Sequence, residues 1–268
     1  MIRMEKIRRE RRQGQAVVRG ALVPESTHDQ RLLDRQGPAD WVHMDPWRVL
    51  RIQAEFVEGF GQLAELPRAV TVFGSARTDK DDAYYAMGVD LGRTLAEAGY
   101  AVITGGGPGT MEAANRGATE VAGGISVGLG IELPFEQRMN DYVELGIEFR
   151  YFFVRKTMFV KYSCGFIALP GGFGTLDELF EALTLVQTRK VTSFPVVLLG
   201  TEFWGGLIDW IRKALLGTGK IATHDLDLIT VTDDVDEAVR VIVESDRARS
   251  RQSLEERQAA ASHIAEPQ

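Results

Sequence analysis

The feature that most limits what this chain can fold into is an alternation. Short apolar runs end in glycine turns, and most of these turns open a segment with helical spacing. From residue 68 onward the pattern predicts strands at 69–73, 100–104, 125–130, 165–169, 194–199 and 229–231, with a further one at 149–153. It predicts helices at 83–98, 110–121, 155–162, 176–187, 204–216 and 235–243. Strand-length apolar runs alternating with helices specify a parallel sheet covered on both faces, with right-handed crossovers. The expected class is α/β: a Rossmann-like, doubly wound parallel sheet with helices on both faces, plus an N-terminal extension.

The extension is expected to cover residues 1–66. It opens with a basic arm (Arg3, Lys6, Arg8, Arg9, Arg11, Arg12, Arg19), read as mobile and solvated or as a contact for nucleic acid or an acidic partner. Residues 21–46, with Pro24, Pro38 and Pro46, read as irregular. An amphipathic helix is expected at 47–66, with Leu50, Phe56, Phe60 and Leu63 near one face. The main domain is expected at 67–245. A polar tail, 246–268, reads as disordered or as a loosely attached helix.

Composition excludes several classes. The net charge of −7 argues against a general nucleic-acid surface. A single cysteine, Cys164, permits no internal disulfide and fits a reducing cytoplasm. No run of eighteen apolar residues marks a membrane span, and the arginine-rich start lacks the apolar core of a secretory signal. A cytoplasmic location with no membrane partner is the expectation. His28, His43, His224 and His263 have no metal-ligand spacing, and neither a metal nor another cofactor is expected.

Function concentrates at Pro170-Gly-Gly-Phe-Gly-Thr-Leu-Asp-Glu178. There a buried strand, a glycine turn and a helix start meet. In an open parallel sheet that point lies at the carboxyl edge, where ligands bind. Glycines let backbone approach a ligand closely, and a helix start offers N–H groups that suit phosphate. Neither the G-x-G-x-x-G dinucleotide fingerprint after the first strand nor the P-loop pattern is present. Three loops at one edge, 74–77, 105–112 and 171–178, would instead surround a ligand of mononucleotide size. Thr175-x-x-Glu178 is also the spacing of a capping box, and spacing alone does not choose between a cap and a catalytic acid at Glu178.

These motifs carry a resemblance. The stretch 170–178 matches the PGGxGTxxE signature of the LOG ("lonely guy") family, cytokinin riboside 5′-monophosphate phosphoribohydrolases formerly labelled lysine decarboxylases. Gly105-Gly-Gly-Pro-Gly-Thr-Met-Glu112 resembles the family's first glycine loop, and Arg155-Lys156 its paired basic residues. The similarity covers about residues 68–245 and looks like the longer bacterial branch. It implies hydrolysis of the N-glycosidic bond of an N6-modified adenosine 5′-monophosphate to free base and ribose 5-phosphate, with a non-catalytic nucleotide or cofactor carrier as the alternative. By resemblance, Glu178 and Arg155 are catalytic. Gly171, Gly172, Gly174, Thr175 and Lys156 hold the phosphate, and Asp177 takes a place where many members have Glu. Gly107, Thr110, Met111 and Glu112 line the base side. Ser75, Arg77 and Glu136 reach the nucleotide, while Thr184 contacts it or merely covers its helix. The partners implied are a nucleoside monophosphate and further copies of the chain, as a homodimer or larger homo-oligomer. A decarboxylase would need pyridoxal phosphate, and no Schiff-base lysine stands among these motifs.

Overall fold

The computed structural model describes residues 10–13, 16–19, 27–33, 46–133, 138–188 and 194–264. Its centre is a seven-stranded, all-parallel sheet. The strands are β3 (Ala69–Phe73), β4 (Ala101–Thr104), β5 (Ser126–Ile131), β6 (Leu145–Phe149), β7 (Ser163–Ala168), β8 (Val196–Leu199) and β9 (Ile229–Thr232). Their order is β6-β5-β4-β3-β7-β8-β9. The chain winds outward from β3 to one edge, returns to the centre at β7, and winds outward to the other edge. The direction reverses between β3 and β7, which opens a crevice at their carboxyl ends.

Period-two burial explains both layers. Ala69, Phe73, Ile103, Leu129, Phe166 and Leu198 face one side, against α5 (Phe152–Tyr162), α6 (Phe173–Gln187) and α7 (Thr201–Trp210). Val70, Val72, Val102, Ile167 and Leu199 face the other, against α3 (Ala83–Glu97), α4 (Thr110–Thr119) and α8 (Val235–Ile264). Trp204 of α7 is fully buried, and its indole N–H donates to Ala168 O at 3.2 Å. No described helix is long and apolar enough to cross a membrane.

Several expectations are corrected. The strand expected at 149–153 is instead β6, which ends at Phe149, and α5 begins at Phe152. The aromatic run suits a strand by propensity, but carboxylates from elsewhere take the backbone N–H groups of Arg150, Tyr151 and Phe152 and start a helix there. Part of the basic arm forms two strands, β1 (Glu10–Gln13) and β2 (Ala16–Arg19), paired antiparallel. Arg11, Arg12 and Arg19 lie on them, while Arg3, Lys6, Arg8 and Arg9 lie outside the described residues. Within the stretch read as irregular, His28–Leu33 forms the short helix α1.

The long helix of the extension, α2 (Pro46–Gln62), turns inward only part of the face expected: Phe56 and Leu63 pack inward, whereas Leu50 and Phe60 are exposed. Leu50 is 52% exposed, and the inner face carries Ile52, Glu55, Phe56 and Gly59, with Leu63 buried just beyond. A β-carbon at Gly59 would stand 2.8 Å from Met158 Cε, so α2 lies directly on α5.

The polar tail is continuous with α8, which runs to Ile264. Asp246 fixes it to the domain. Its carboxylate, only 2% exposed, accepts from Arg68 Nη1 at 2.5 Å, Tyr100 Oη at 2.8 Å and Arg249 Nη2 at 3.1 Å. Burial works to raise its pKa, but Tyr100, Arg249 and Arg68 outweigh burial and hold it below the ordinary aspartate value. A depressed pKa gives stability that is present at neutral pH and lost as pH falls through the folded-state value. Asp246→Asn is therefore expected to lower stability by about 2–4 kcal/mol at pH 7, read as a lower Tm. The gap from wild type should narrow below about pH 4; equal melting at pH 7 would refute the anchor.

Candidate active site at the sheet switch point

Backbone bonds tie the three glycine loops together at the crevice. Ser75 N donates to Pro170 O at 3.0 Å, and Thr110 N donates to Ser75 O at 2.9 Å. The loops after β3, β4 and β7 thus form one unit. Tight contacts explain several residues. Gly109 has φ +69°, and a β-carbon there would collide with Ser75 O, so only glycine suits it. A β-carbon at Gly171 would collide with Thr175 Oγ1.

Gly172 and Gly174 differ. A β-carbon on either would meet nothing within 4 Å, and both have ordinary negative φ. Packing within the chain does not require glycine there. Gly172 is the N-cap of α6, and no side chain caps that helix. The first N–H groups of a helix have no intrahelical partner, so α6 presents bare donors and a positive dipole end into open space, a geometry that receives an anion.

α6 begins at Phe173, three residues earlier than expected, which places Glu178 on its second turn. The capping box is absent. Glu178 is 4% exposed, and its Oε2 is buried without a hydrogen-bond partner. Burial, opposed by Lys156 and Arg155, pushes its pKa up to about 7. An unpartnered buried carboxylate oxygen is costly, and such groups cluster at functional sites.

Arg155 lies on the first turns of α5. Its Nε donates to Leu129 O at 2.7 Å, within β5. Its Nη2 lies against the second loop, where a β-carbon on Gly105 would stand 2.7 Å from it. The ring of Phe159 packs 5.0 Å beneath the guanidinium. Burial works against the Arg155 charge, and the carboxylates of Glu178 and Glu148 support it. Arg155 and Glu178 are therefore within electrostatic reach of each other.

Lys156 has protein partners: Glu181 Oε2 at 2.8 Å and Asp177 Oδ2 at 2.9 Å. A basic pair near a helix start asks for an anion, and for Lys156 the protein supplies it. Burial lowers the Lys156 pKa, but Glu181 and Asp177 outweigh it and the net shift is upward. Lys156, Phe173, Asp177 and Thr184 line an open groove of about 580 Å³. The Thr184 hydroxyl donates to Phe180 O at 2.7 Å, within its own helix.

The remaining candidates spread around the second loop. Thr110 is fully buried, packs over Gly74 and bonds Thr78 Oγ1 at 3.0 Å. Thr175 is also buried. The Met111 thioether lies over Gly105 and Gly107. Glu112 accepts from Tyr85 Oη at 3.0 Å and pairs with Lys80 at 2.5 Å. It lines a cleft of about 360 Å³ with Arg138, Asn140 and Tyr142. Ser75 Oγ accepts from Arg77 N at 3.0 Å, and the Arg77 side chain is exposed. Glu136 lies outside the described residues.

Sequence reading missed the frame behind these groups. Buried Asn115 accepts from Thr104 Oγ1 at 2.6 Å and donates to Ser126 Oγ at 2.8 Å. Asn140 Nδ2 donates to Asn115 Oδ1 and to Gly107 O, both at 3.0 Å, which fixes the second loop. An asparagine within the apolar spacing of a helix was the available signal. The Leu129 carbonyl left none, because any residue would supply it.

A family profile described as "Possible lysine decarboxylase" matches residues 111–242. A cytokinin riboside 5′-monophosphate phosphoribohydrolase of Mycobacterium tuberculosis is 30% identical over 165 residues, 59% of this chain and 85% of that protein. The probable phosphoribohydrolase LOGL5 of Oryza sativa is 35% identical over 156 residues, 55% of this chain but only 61% of its own length. The molybdenum cofactor carrier protein of Chlamydomonas reinhardtii has a similar fold: TM-score 0.50 and 26% identity, over 67% of this chain and 98% of the carrier.

Two outcomes are expected. A raised folded-state pKa means that stability is fully present below about pH 4.5 and is lost as pH rises through about 7. Glu178→Gln should therefore match wild type near pH 5 and exceed it by up to about 3 kcal/mol at pH 8, measured by denaturant unfolding. Destabilisation at pH 8 would instead mean a structural carboxylate. Gly174→Ala should raise stability by roughly 0.5–1 kcal/mol, as expected for a helical position with room, and, if the α6 start is the anion site, weaken binding of inorganic phosphate in calorimetry. Unchanged affinity would remove the α6 start from the anion site.

Proposed function

Because this chain belongs to the LOG family of cytokinin riboside 5′-monophosphate phosphoribohydrolases, we propose that its crevice hydrolyses the N-glycosidic bond of N6-modified adenosine 5′-monophosphates. The products are the free base and ribose 5-phosphate. One observation carries the reading: on the helix that starts bare at Gly172, a buried, partnerless Glu178 oxygen lies within electrostatic reach of Arg155 of α5.

The chemistry follows from those groups. The N–H groups at the start of α6, with Gly171, Gly172, Gly174 and Thr175 shaping the turn, take the 5′-phosphate. Lys156 adds positive potential while bound to Asp177 and Glu181. Breaking the bond between the anomeric carbon and the base leaves positive charge on the ribose ring. The ionised Glu178 carboxylate stabilises that charge and activates the water that adds to the carbon. Arg155 orients the anionic substrate with its planar donors. Glu112, Met111 and Gly107 form the base side, and Ser75 and Arg77 flank the loop after β3. Water supplies the atoms that both products need, so the reaction proceeds without a cofactor. We place the enzyme in the cytoplasm and expect it to act as a homo-oligomer.

A second reading, a nucleotide or cofactor carrier, is favoured by the likeness to the molybdenum cofactor carrier fold. A carrier uses the same glycine cradle but has no use for an activated carboxylate.

Incubation with AMP and with isopentenyl-adenosine 5′-monophosphate, followed by chromatography for free base, separates the two. Base release is expected, with kcat/KM falling below about pH 7 as Glu178 takes up a proton. Arg155→Ala should lower kcat by about 100-fold or more, and it should also lower Tm, because the Leu129 carbonyl loses its donor and Phe159 its packing partner. Tight binding with no base released would establish the carrier instead.

A further inference from the structure

The helix that carries Arg155 is held at its start by the N-terminal extension. Three consecutive backbone N–H groups lead into α5, where a helix has no internal acceptors to offer. Two carboxylates from the extension take all three. Glu55 of α2 accepts from Arg150 N at 3.1 Å through both oxygens and from Tyr151 N at 3.3 Å. Asp29 of α1 accepts from Phe152 N at 3.0 Å.

Glu55 is buried on the apolar inner face of α2, near Ile52 and Phe56. A carboxylate is expensive there unless its bonds have a use. The extension also grips the other support of Arg155. His28 N donates to Glu132 Oε2 at 2.9 Å, and His28 Nδ1 lies 2.7 Å from the same oxygen, just past the end of β5. That strand supplies the Leu129 carbonyl to Arg155 Nε. The helix dipole disfavours cations on the first turns of α5, and carboxylates at its start offset that.

We infer that Glu55 and Asp29 are positioning residues for Arg155: by capping α5 from the N-terminal extension, they fix the height and direction from which its guanidinium enters the crevice. The effect on rate rests on the hydrolase reading, whereas the effect on geometry does not. The helices α1 and α2 of the extension are then part of the working site rather than an appendage to it.

The test compares Glu55→Ala and Glu55→Gln in the full chain. Glu55→Ala should lower kcat on isopentenyl-adenosine monophosphate by at least about tenfold, because small misplacements of a catalytic group are expensive, with KM changed far less. Glu55→Gln keeps an acceptor oxygen and should recover most of the loss. A second readout follows the Glu178 carboxyl by carbon NMR, assigned with Glu178→Gln. Lys156 and Arg155 hold its titration down, while Glu181 and Asp177 push it up. Displacing Arg155 should therefore move it to higher pH in Glu55→Ala. A folded Glu55→Ala with wild-type kcat and an unmoved titration overturns the inference. If Glu55→Ala does not fold, Asp29→Asn, which weakens one of the bonds, is judged by the same two readouts. If wild type releases no base, the hydrolase reading fails on its own, and the titration alone decides the positioning.

Discussion

The reversal of winding between β3 and β7 is the constraint on which the rest depends. Every other neighbouring pair in the parallel sheet is consecutive in the chain, whereas β3 and β7 are adjacent in space and far apart in sequence. The loops after both strands meet at their carboxyl ends, bonded through Ser75 and Pro170, and the loop after β4 joins them through Thr110. A ligand site at this point needs no separate scaffold, because the topology leaves the opening and the turns supply its lining.

Inside that opening the structure keeps a costly arrangement. Glu178 is enclosed, has an oxygen with no partner, and shares its surroundings with Asp177 and Glu181. Lys156 is already committed to those two neighbours, so it does not neutralise Glu178 outright. Arg155 is drawn partly away by the Leu129 carbonyl. The result is a carboxylate close to its ionisation midpoint at neutral pH rather than one locked in an ion pair. Proteins retain such groups where function needs them and recover the stability elsewhere. Here the recovery lies in the two apolar layers and in the satisfied network around Asn115 and Asp246.

Much of this was legible in the sequence, for identifiable reasons. Glycine turns and apolar runs are local signals, so residue pattern alone places most of the strands and the three loops. Where local propensity misled, a distant partner had decided the outcome. The aromatic run at 149–153 reads as a strand, yet carboxylates more than ninety residues away in sequence turn it into a helix start. Thr175 and Glu178 have the spacing of a cap, but the glycine at 172 lets α6 begin a turn earlier. Leu50 looks like a core residue by periodicity, while Glu55, one of two acids on the same helix, points inward. A buried acid on an amphipathic helix carries no mark in sequence, because its bonding partners are backbone groups.

The fold by itself does not choose between moving a ligand and cleaving it. A bare helix start and a glycine turn bind an anion equally well in either case, and the likeness to a carrier fold reflects that shared part. What separates the two is how the surrounding charge is arranged. A carrier gains affinity by pairing every buried charge, since any unpaired one weakens the complex. A glycosidase gains rate from a group that is poorly satisfied until positive charge develops beside it. On the hydrolase reading proposed above, Glu178 is of the second kind: its free oxygen and raised pKa detract from resting stability, and a cationic ribose would relieve them, so the feature that lowers stability would favour the transition state.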